Sequence, residues 1–227
     1  MKIGIIIAMD KEFQQLKSIL SDSKESICHG RKFVCGHIGN KEIIMQQCGM
    51  GKVNSTIGTV ELIDNFSPDI IISTGVAGGA SNALNIEDVV VSTEITYHDA
   101  YYGSSCEYGQ IQGLPARFKA DSKLLDKART LEYDKAIHTG LIASGDWFVD
   151  TKDKIHSILD KFPEAIAVDM ESGSIAQTCY SYGVPFISFR IISDIPLKDT
   201  DASQYWDFWN KVAEDSFHIT KRYLESL

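Results

Sequence analysis

Short apolar runs bounded by turn residues recur along the chain, and the stretches between them carry a different, helical spacing. The runs cover residues 3–8, 42–47, 70–74, 88–96, 140–143, 165–170 and 186–192. Several are continuous rather than alternating, the pattern of strands covered on both faces. Between them, residues 9–20 carry Phe13, Leu16, Ile19 and Leu20 at helical spacing. Residues 53–66 carry Ile57, Val60, Leu62, Ile63 and Phe66 likewise, and residues 172–182 and 204–227 complete the helical set. Strands alternating with helices predict an α/β fold, a mostly parallel or mixed sheet with helices on both faces. Residues 31–47, with the turn Ile38-Gly39-Asn40-Lys41, predict an antiparallel hairpin inside that sheet, and the polar stretch 21–26 reads as a loop. No repeat, low-complexity segment or linker interrupts the pattern. Residues 1–227 are therefore expected to form one domain, long enough to bury a sizeable core.

Charge and cysteine usage narrow the class of function. A net charge of -9 and a pI near 5.1, with no Lys/Arg run, argue against a nucleic-acid partner, because a polyanion would be repelled. The apolar start, residues 3–8, is too short for a signal core, and no stretch approaches the ~18 apolar residues of a membrane span. Cys28, Cys35, Cys48, Cys106 and Cys179 are odd in number and never at metal-ligand spacing. They read as small buried hydrophobes in a reduced cytoplasm, with neither metal nor cofactor expected.

In sheets of this kind a ligand sits at the carboxyl ends of strands, so residues just after the apolar runs deserve the closest reading. "STGVAGG", residues 73–79, offers backbone N–H groups to a ligand or, as readily, a tight turn; its spacing fits no nucleotide-phosphate loop. Glu12 opens a helix, where complementing the helix dipole suffices to explain it. Asp194 reads equally as a turn acid or a functional one, because Arg190 lies within the same apolar strand and a buried arginine requires an anion. Asp169 and Glu171, two apart on a strand, would project to one side. Two such acids resist joint ionisation, which suggests a ligand with hydroxyl donors or a cation such as Arg190. Trp147 and Phe148, in "SGDWFV", can stack on a flat base or pack beneath their loop. His98 has no nucleophile at a matching spacing and reads as structural or as a subunit contact; the other histidines are uninformative.

Taken together and in order, "KIGIIIAMDKE", "CGMGKVN", "STGVAGG", "VSTEITYHDA", "EYGQI", "ASGDWFV", "AVDMES" with "IAQTC", and "VPFISFRIISD" resemble the 5'-methylthioadenosine/S-adenosylhomocysteine nucleosidases of the nucleoside phosphorylase/hydrolase superfamily. The resemblance spans nearly the whole chain. It implies a nucleoside phosphorylase-like three-layer α/β/α fold around a mixed, partly barrel-like sheet, and a cytoplasmic homodimer. It also implies metal-free hydrolysis of the adenine–ribose bond of methylthioadenosine, S-adenosylhomocysteine or 5'-deoxyadenosine, in methionine salvage. By that resemblance Asp194 is the general acid at purine N7 and Glu12 positions and deprotonates the attacking water. Glu171 holds the ribose hydroxyls, Met170 packs under the sugar, and Arg190 lies near the water and the sugar acids. Phe148 stacks on adenine and Val149 offers it backbone contacts, while Ala77, Gly78 and Ser193 also face the substrate.

The chemistry of the assignment is coherent. Cleavage of an N-glycosidic bond builds positive charge at the anomeric carbon and negative charge on the leaving base, so one acid must donate while another carboxylate stays ionised. The chain departs from the family at residues 101–113, where Gly103-Ser104-Ser105-Cys106 stand in place of aromatics, and at Val76, where many relatives have serine. The pocket for the 5'-substituent is expected instead from Met50, Tyr102 and Tyr205 or Phe208, and Asp169 is expected to support the site from behind. A phosphorylase, which requires a cationic phosphate site, a futalosine-type hydrolase and a non-catalytic nucleoside-binding module remain as alternatives.

Overall fold

The computed structural model describes residues 1–198, 202–211 and 217–227. In chain order its elements are β1 (Lys2–Ile7), α1 (Asp10–Lys17), β2 (Ser21–Cys28), β3 (Arg31–Ile38), β4 (Lys41–Gln47), α2 (Lys52–Phe66), β5 (Ile70–Gly79) and β6 (Val89–Tyr97). There follow β7 (Phe118–Lys119), α3 (Ser122–Arg129), β8 (Ile137–Ser144), α4 (Lys152–Leu159), β9 (Ala165–Asp169), α5 (Ser172–Tyr182), β10 (Phe186–Asp194), α6 (Ser203–Lys211) and α7 (His218–Ser226).

All the strands join one mixed sheet. β10, β6, β8, β9 and β5 hydrogen-bond in that order, and β5 pairs back to β10, so this part closes into a ring. From β5 the sheet continues through β1, β4, β3 and β2 as an open wing. The continuous apolar runs are explained by strands whose alternate residues enter different cores. Ile3, Ile5 and Ile7 of β1 join Phe13, Leu16, Leu124, Phe208 and Tyr223 on one face, whereas Ile6 joins Leu62, Ile63, Ile175 and Cys179 on the other. β10 divides in the same way, with Ile187, Phe189 and Ile191 on the first face and Phe186 and Ile192 on the second. Helices therefore cover both faces, giving the three layers the pattern predicts, and each fully buried isoleucine stabilises the sandwich by roughly 1.5–3 kcal/mol.

The differences from the sequence reading have local causes. Residues 21–26 are not a loop but most of β2, an edge strand paired only to β3. Nearly all its side chains are exposed, so no apolar alternation marks it, and its charged composition suits an unprotected edge. The helix expected over 9–20 ends at Lys17, and the helical stretch 204–227 is divided between α6 and α7, the second starting after Phe217. α3 and α4, eight residues each, are not among the helices expected from periodicity. Their caps were the available signal: Asp121 accepts from the Lys123 and Leu124 N–H groups, and Thr151 from that of Lys154.

Candidate active site

The loops that follow β1, β4, β8 and β9, the ends of β5 and β10, and Tyr205 of α6 meet around one cleft of about 620 Å³ including its open mouth. β9 runs antiparallel to β5, yet the two pair only through their last residues, Gly78 with Val168 and Gly79 with Ala167. Their carboxyl ends therefore overlap at the same place instead of lying at opposite ends of the sheet.

Glu12 enters the cleft from the first turn of α1 and is only 2% exposed. Its Oε2 accepts the Met9 N–H at 3.0 Å, the reciprocal half of a capping box, while its Oε1 accepts the Val76 N–H at 2.9 Å. The local helix role and the position in the cleft thus coexist. Burial pushes its pKa above the ordinary glutamate value, against the lowering effects of the Val76 N–H, the Arg190 charge and the Met9 N–H. Gly75 lies within β5 rather than in a turn, with φ at +151°. A Cβ there would stand 2.8 Å from Arg190 Nη1 and 2.8 Å from Glu12 Oε1, so glycine lets the two charged groups close over the strand.

Arg190 is 2% exposed, and its Nε lies 2.9 Å from Asp169 Oδ2. Three serines complete its surroundings: Nη2 donates to Ser73 Oγ at 2.7 Å and to Ser172 Oγ at 3.0 Å, and Nε reaches Ser188 Oγ at 3.2 Å. Ser172 Oγ donates onward to Asp169. Polar serines at otherwise buried strand and helix positions were the sequence signal for this cage, and it was missed. The cation suggested for the Asp169/Glu171 pair is thus found, but the strand-alternation argument for the pair is corrected. β9 stops at Asp169, and Glu171 is the N-cap of α5, with φ -126° and ψ -34°. The turn through Met170, not the pleat, brings Asp169, Met170 and Glu171 to the cleft together.

Glu171 is 6% exposed, and its Oε1 accepts the Gly51 N–H at 2.9 Å. Burial pushes its pKa up to about 7; Arg190 opposes the rise and the Asp169 charge adds to it. On β10 the ladder slips between Ile192 and Asp194, a bulge at Ser193. That extra residue allows neighbours that would alternate on a regular strand, Ser193 and Asp194, both to line the cleft. Ser193 Oγ donates to Asp194 Oδ1 at 2.7 Å, and Asp194 is 5% exposed.

Ala77, Gly78, Val149 and Met170 also line the cleft, and Ala8, Met9 and Val168 are lining residues the sequence reading did not single out. The mouth is aromatic and open. Phe148 is 42% exposed and meets Tyr205 edge-on at 5.2 Å, while Trp147 leans on the buried His98 ring at 5.2 Å. Met50 and Tyr205 line the cleft as expected for the 5' side. One expectation for that side is corrected: Tyr102 is half exposed and does not line the cleft of its own chain, while Phe208, the alternative to Tyr205, packs into the core from α6.

Comparison with known proteins puts this geometry among relatives. A family model described as the phosphorylase superfamily matches residues 2–225. A protein of Staphylococcus carnosus named 5'-methylthioadenosine/S-adenosylhomocysteine nucleosidase is 43% identical over 230 residues, covering 99% of this chain and 100% of the relative. The Streptococcus pneumoniae 5'-methylthioadenosine/S-adenosylhomocysteine nucleosidase, solved with the transition-state inhibitor MT-ImmA, superposes with a TM-score of 0.93 at 32% identity, covering 100% and 99% of the two chains. The S-adenosylhomocysteine nucleosidase of Streptococcus pyogenes, solved with 5-methylthiotubericidin, gives 0.93 at 34% identity, covering 100% and 97%.

Proposed function

The chain belongs to the phosphorylase superfamily, among its 5'-methylthioadenosine/S-adenosylhomocysteine nucleosidases, and from that premise we propose how its own residues hydrolyse the N-glycosidic bond of those nucleosides, releasing adenine and a 5'-substituted ribose. The observation that carries the reading is one buried cleft shared by Glu12 and Asp194, whose only cation among the described lining residues, Arg190, is already engaged by Asp169 and serines. A phosphorylase needs a cation free to hold phosphate, so water is the nucleophile here.

Asp194 donates a proton to the purine as the bond breaks, which relieves the negative charge on the leaving base. Glu12 holds the attacking water and takes its proton, with the carboxylate aimed by the Val76 and Met9 N–H groups and attracted by Arg190. Glu171 accepts from the ribose hydroxyls, Met170 packs beneath the sugar, and Phe148 and Val149 hold adenine. Methylthioadenosine and S-adenosylhomocysteine are the substrates, with 5'-deoxyadenosine a third that the same chemistry admits.

The finer assignments rest on the same reading. The whole chain acts as one domain. Met50, Val53, Ile57, Tyr101 and Tyr102 are exposed apolar side chains, and a second copy covers them in a homodimer. The free cysteines suit the cytoplasm, and no helix among the described residues is long and apolar enough to cross a membrane. The deciding assay follows adenine release from methylthioadenosine with and without phosphate. Release independent of phosphate is expected, absence of release in both buffers leaves only a binding module, and dependence on phosphate restores the phosphorylase.

A further inference from the structure

A charged cluster outside the cleft grips the one backbone donor that Glu171 uses. Gly51, whose N–H donates to Glu171 Oε1, sits at φ +88° between Met50 and the start of α2, a conformation only glycine adopts freely. α2 has no side-chain cap of its own. The capping acceptor comes instead from the β8–α4 loop: Asp146 Oδ1 accepts the Lys52 N–H at 2.8 Å, an anion at a helix N-terminus. It stands so close that a Cβ on Gly51 would lie 2.9 Å from it. Asp146 is held in turn, since its N–H donates to Asp99 Oδ2 at 2.8 Å. Lys52 Nζ closes the circuit, 2.8 Å from the same Asp99 oxygen and 3.7 Å from Asp146 Oδ2. Three loops, after β4, β6 and β8, are thereby tied to one lysine.

We propose that Lys52, Asp99 and Asp146 are positioning residues that fix the Gly51 N–H on Glu171, and so set the orientation in which that carboxylate meets the sugar of the substrate. None of the three lines the cleft, so they act through Gly51 and not by touching the ligand. Two features make the link directional. Glycines at φ +89° and +88° flank Met50, so the segment has little intrinsic preference for its conformation without the tether. Glu171 Oε1 has its backbone donor on that segment, so a shift of Gly51 is passed directly to the carboxylate. Mispositioning of a polar group by ~1 Å is enough to cost up to about 100-fold in rate.

The inference rests on the assignment of Glu171 to the sugar, and the test separates the two. Adenine carries no sugar, so it probes the rest of the site. Lys52→Met and Asp99→Asn are compared with Glu171→Gln for kcat/KM on methylthioadenosine and for the Kd of adenine by equilibrium dialysis. The tether variants are expected to lose about 10-fold or more in kcat/KM while adenine affinity stays within about 2-fold, and Lys52→Arg to recover most of the loss. Asp146→Ala, which removes the acceptor of the Lys52 N–H, serves if either variant fails to fold. Unchanged kcat/KM in the tether variants, or equal weakening of nucleoside and adenine, overturns the inference while Glu171→Gln remains selective for the nucleoside. If Glu171→Gln is itself unselective, the sugar assignment falls and the inference falls with it.

Discussion

The floor and the mouth of the cleft are built on opposite terms. On the floor, Glu12, Asp169, Glu171, Arg190 and Asp194 are each at most 7% exposed, and their interactions come from backbone N–H groups, serines and one another. At the mouth, Met50, Trp147, Phe148 and Tyr205 are partly or largely exposed, and Phe148 meets Tyr205 by a ring edge. The floor holds charge in a dry, fixed geometry, where it is strong and has no need to reorganise as the reaction proceeds. The mouth holds surface, which can adapt to a flat base and to different 5'-substituents. Chemistry should therefore be concentrated below and selectivity above, and substitutions on the two levels should differ in kind.

The sharpest division is expected from the two proposed proton-transfer groups. Asp194→Asn and Glu12→Gln should each lower kcat/KM by about 10²–10⁴-fold, with adenine affinity far less affected. Steady-state kinetics with an independent adenine titration checks this, and a variant retaining a third of the wild-type rate would remove its residue from the mechanism. Arg190→Met should act on stability as well. It strands Asp169, paired at 2.9 Å and almost wholly buried, and breaking such a pair costs about 3–5 kcal/mol, visible as a lowered urea midpoint. A midpoint unchanged within error would mean that Ser172 alone satisfies Asp169.

The floor should also titrate. Burial raises Glu171 from 4.5 to about 7, so the folded chain holds that proton more tightly than the unfolded chain does. Its contribution to stability is complete below pH 4.5 and is lost as the pH rises through about 7. Glu12 shifts the same way, with burial as the main cause. Wild-type Tm should therefore fall more steeply over that interval than the Tm of Glu171→Gln, and parallel Tm curves would contradict the assignment. Since the proposed base must be ionised, the acid limb of kcat/KM should lie above the ordinary glutamate range.

The floor was largely legible in the sequence, and the mouth and wing less so. Acids and an arginine in or after apolar strands are chemically conspicuous, and each of Glu12, Glu171, Arg190 and Asp194 lines the cleft, but residue type alone left Glu12 as a helix-dipole acid and Asp194 as readily a turn acid, and only the family resemblance singled them out. Their exact support was not legible. The cage of Ser73, Ser172 and Ser188 depends on contacts between distant segments, and the bulge at Ser193 has no signature in residue type. The turn at Met170 defeated a strand reading because Ala165–Asp169 gives no sign of where pairing stops. β2 was invisible for the converse reason: an edge strand exposed on both faces leaves no apolar pattern. Tyr102 was misjudged because an aromatic residue in a loop does not declare which neighbour it will meet.

The mouth should answer weakly, and in KM more than in kcat. Phe148→Ala removes the ring proposed to stack on adenine, and base stacking is worth about 1–3 kcal/mol, so KM should rise roughly 10-fold while kcat changes little. A comparable fall in kcat would mean that the ring also orients the bond being broken. Met50→Ala should do less. Its side chain is 60% exposed, so only part of its apolar surface is available to a 5'-substituent, and KM for methylthioadenosine should rise by about 3-fold or less with stability unchanged within roughly 0.5 kcal/mol. S-adenosylhomocysteine extends further along the same side, so measuring both substrates with this variant reports whether Met50 meets the sulfur or the tail beyond it. Equal losses assign Met50 to the shared sulfur, and a loss confined to S-adenosylhomocysteine assigns it to the tail. A loss of 100-fold on either substrate would erase the distinction between floor and mouth, because an exposed thioether would then matter as much as a buried acid.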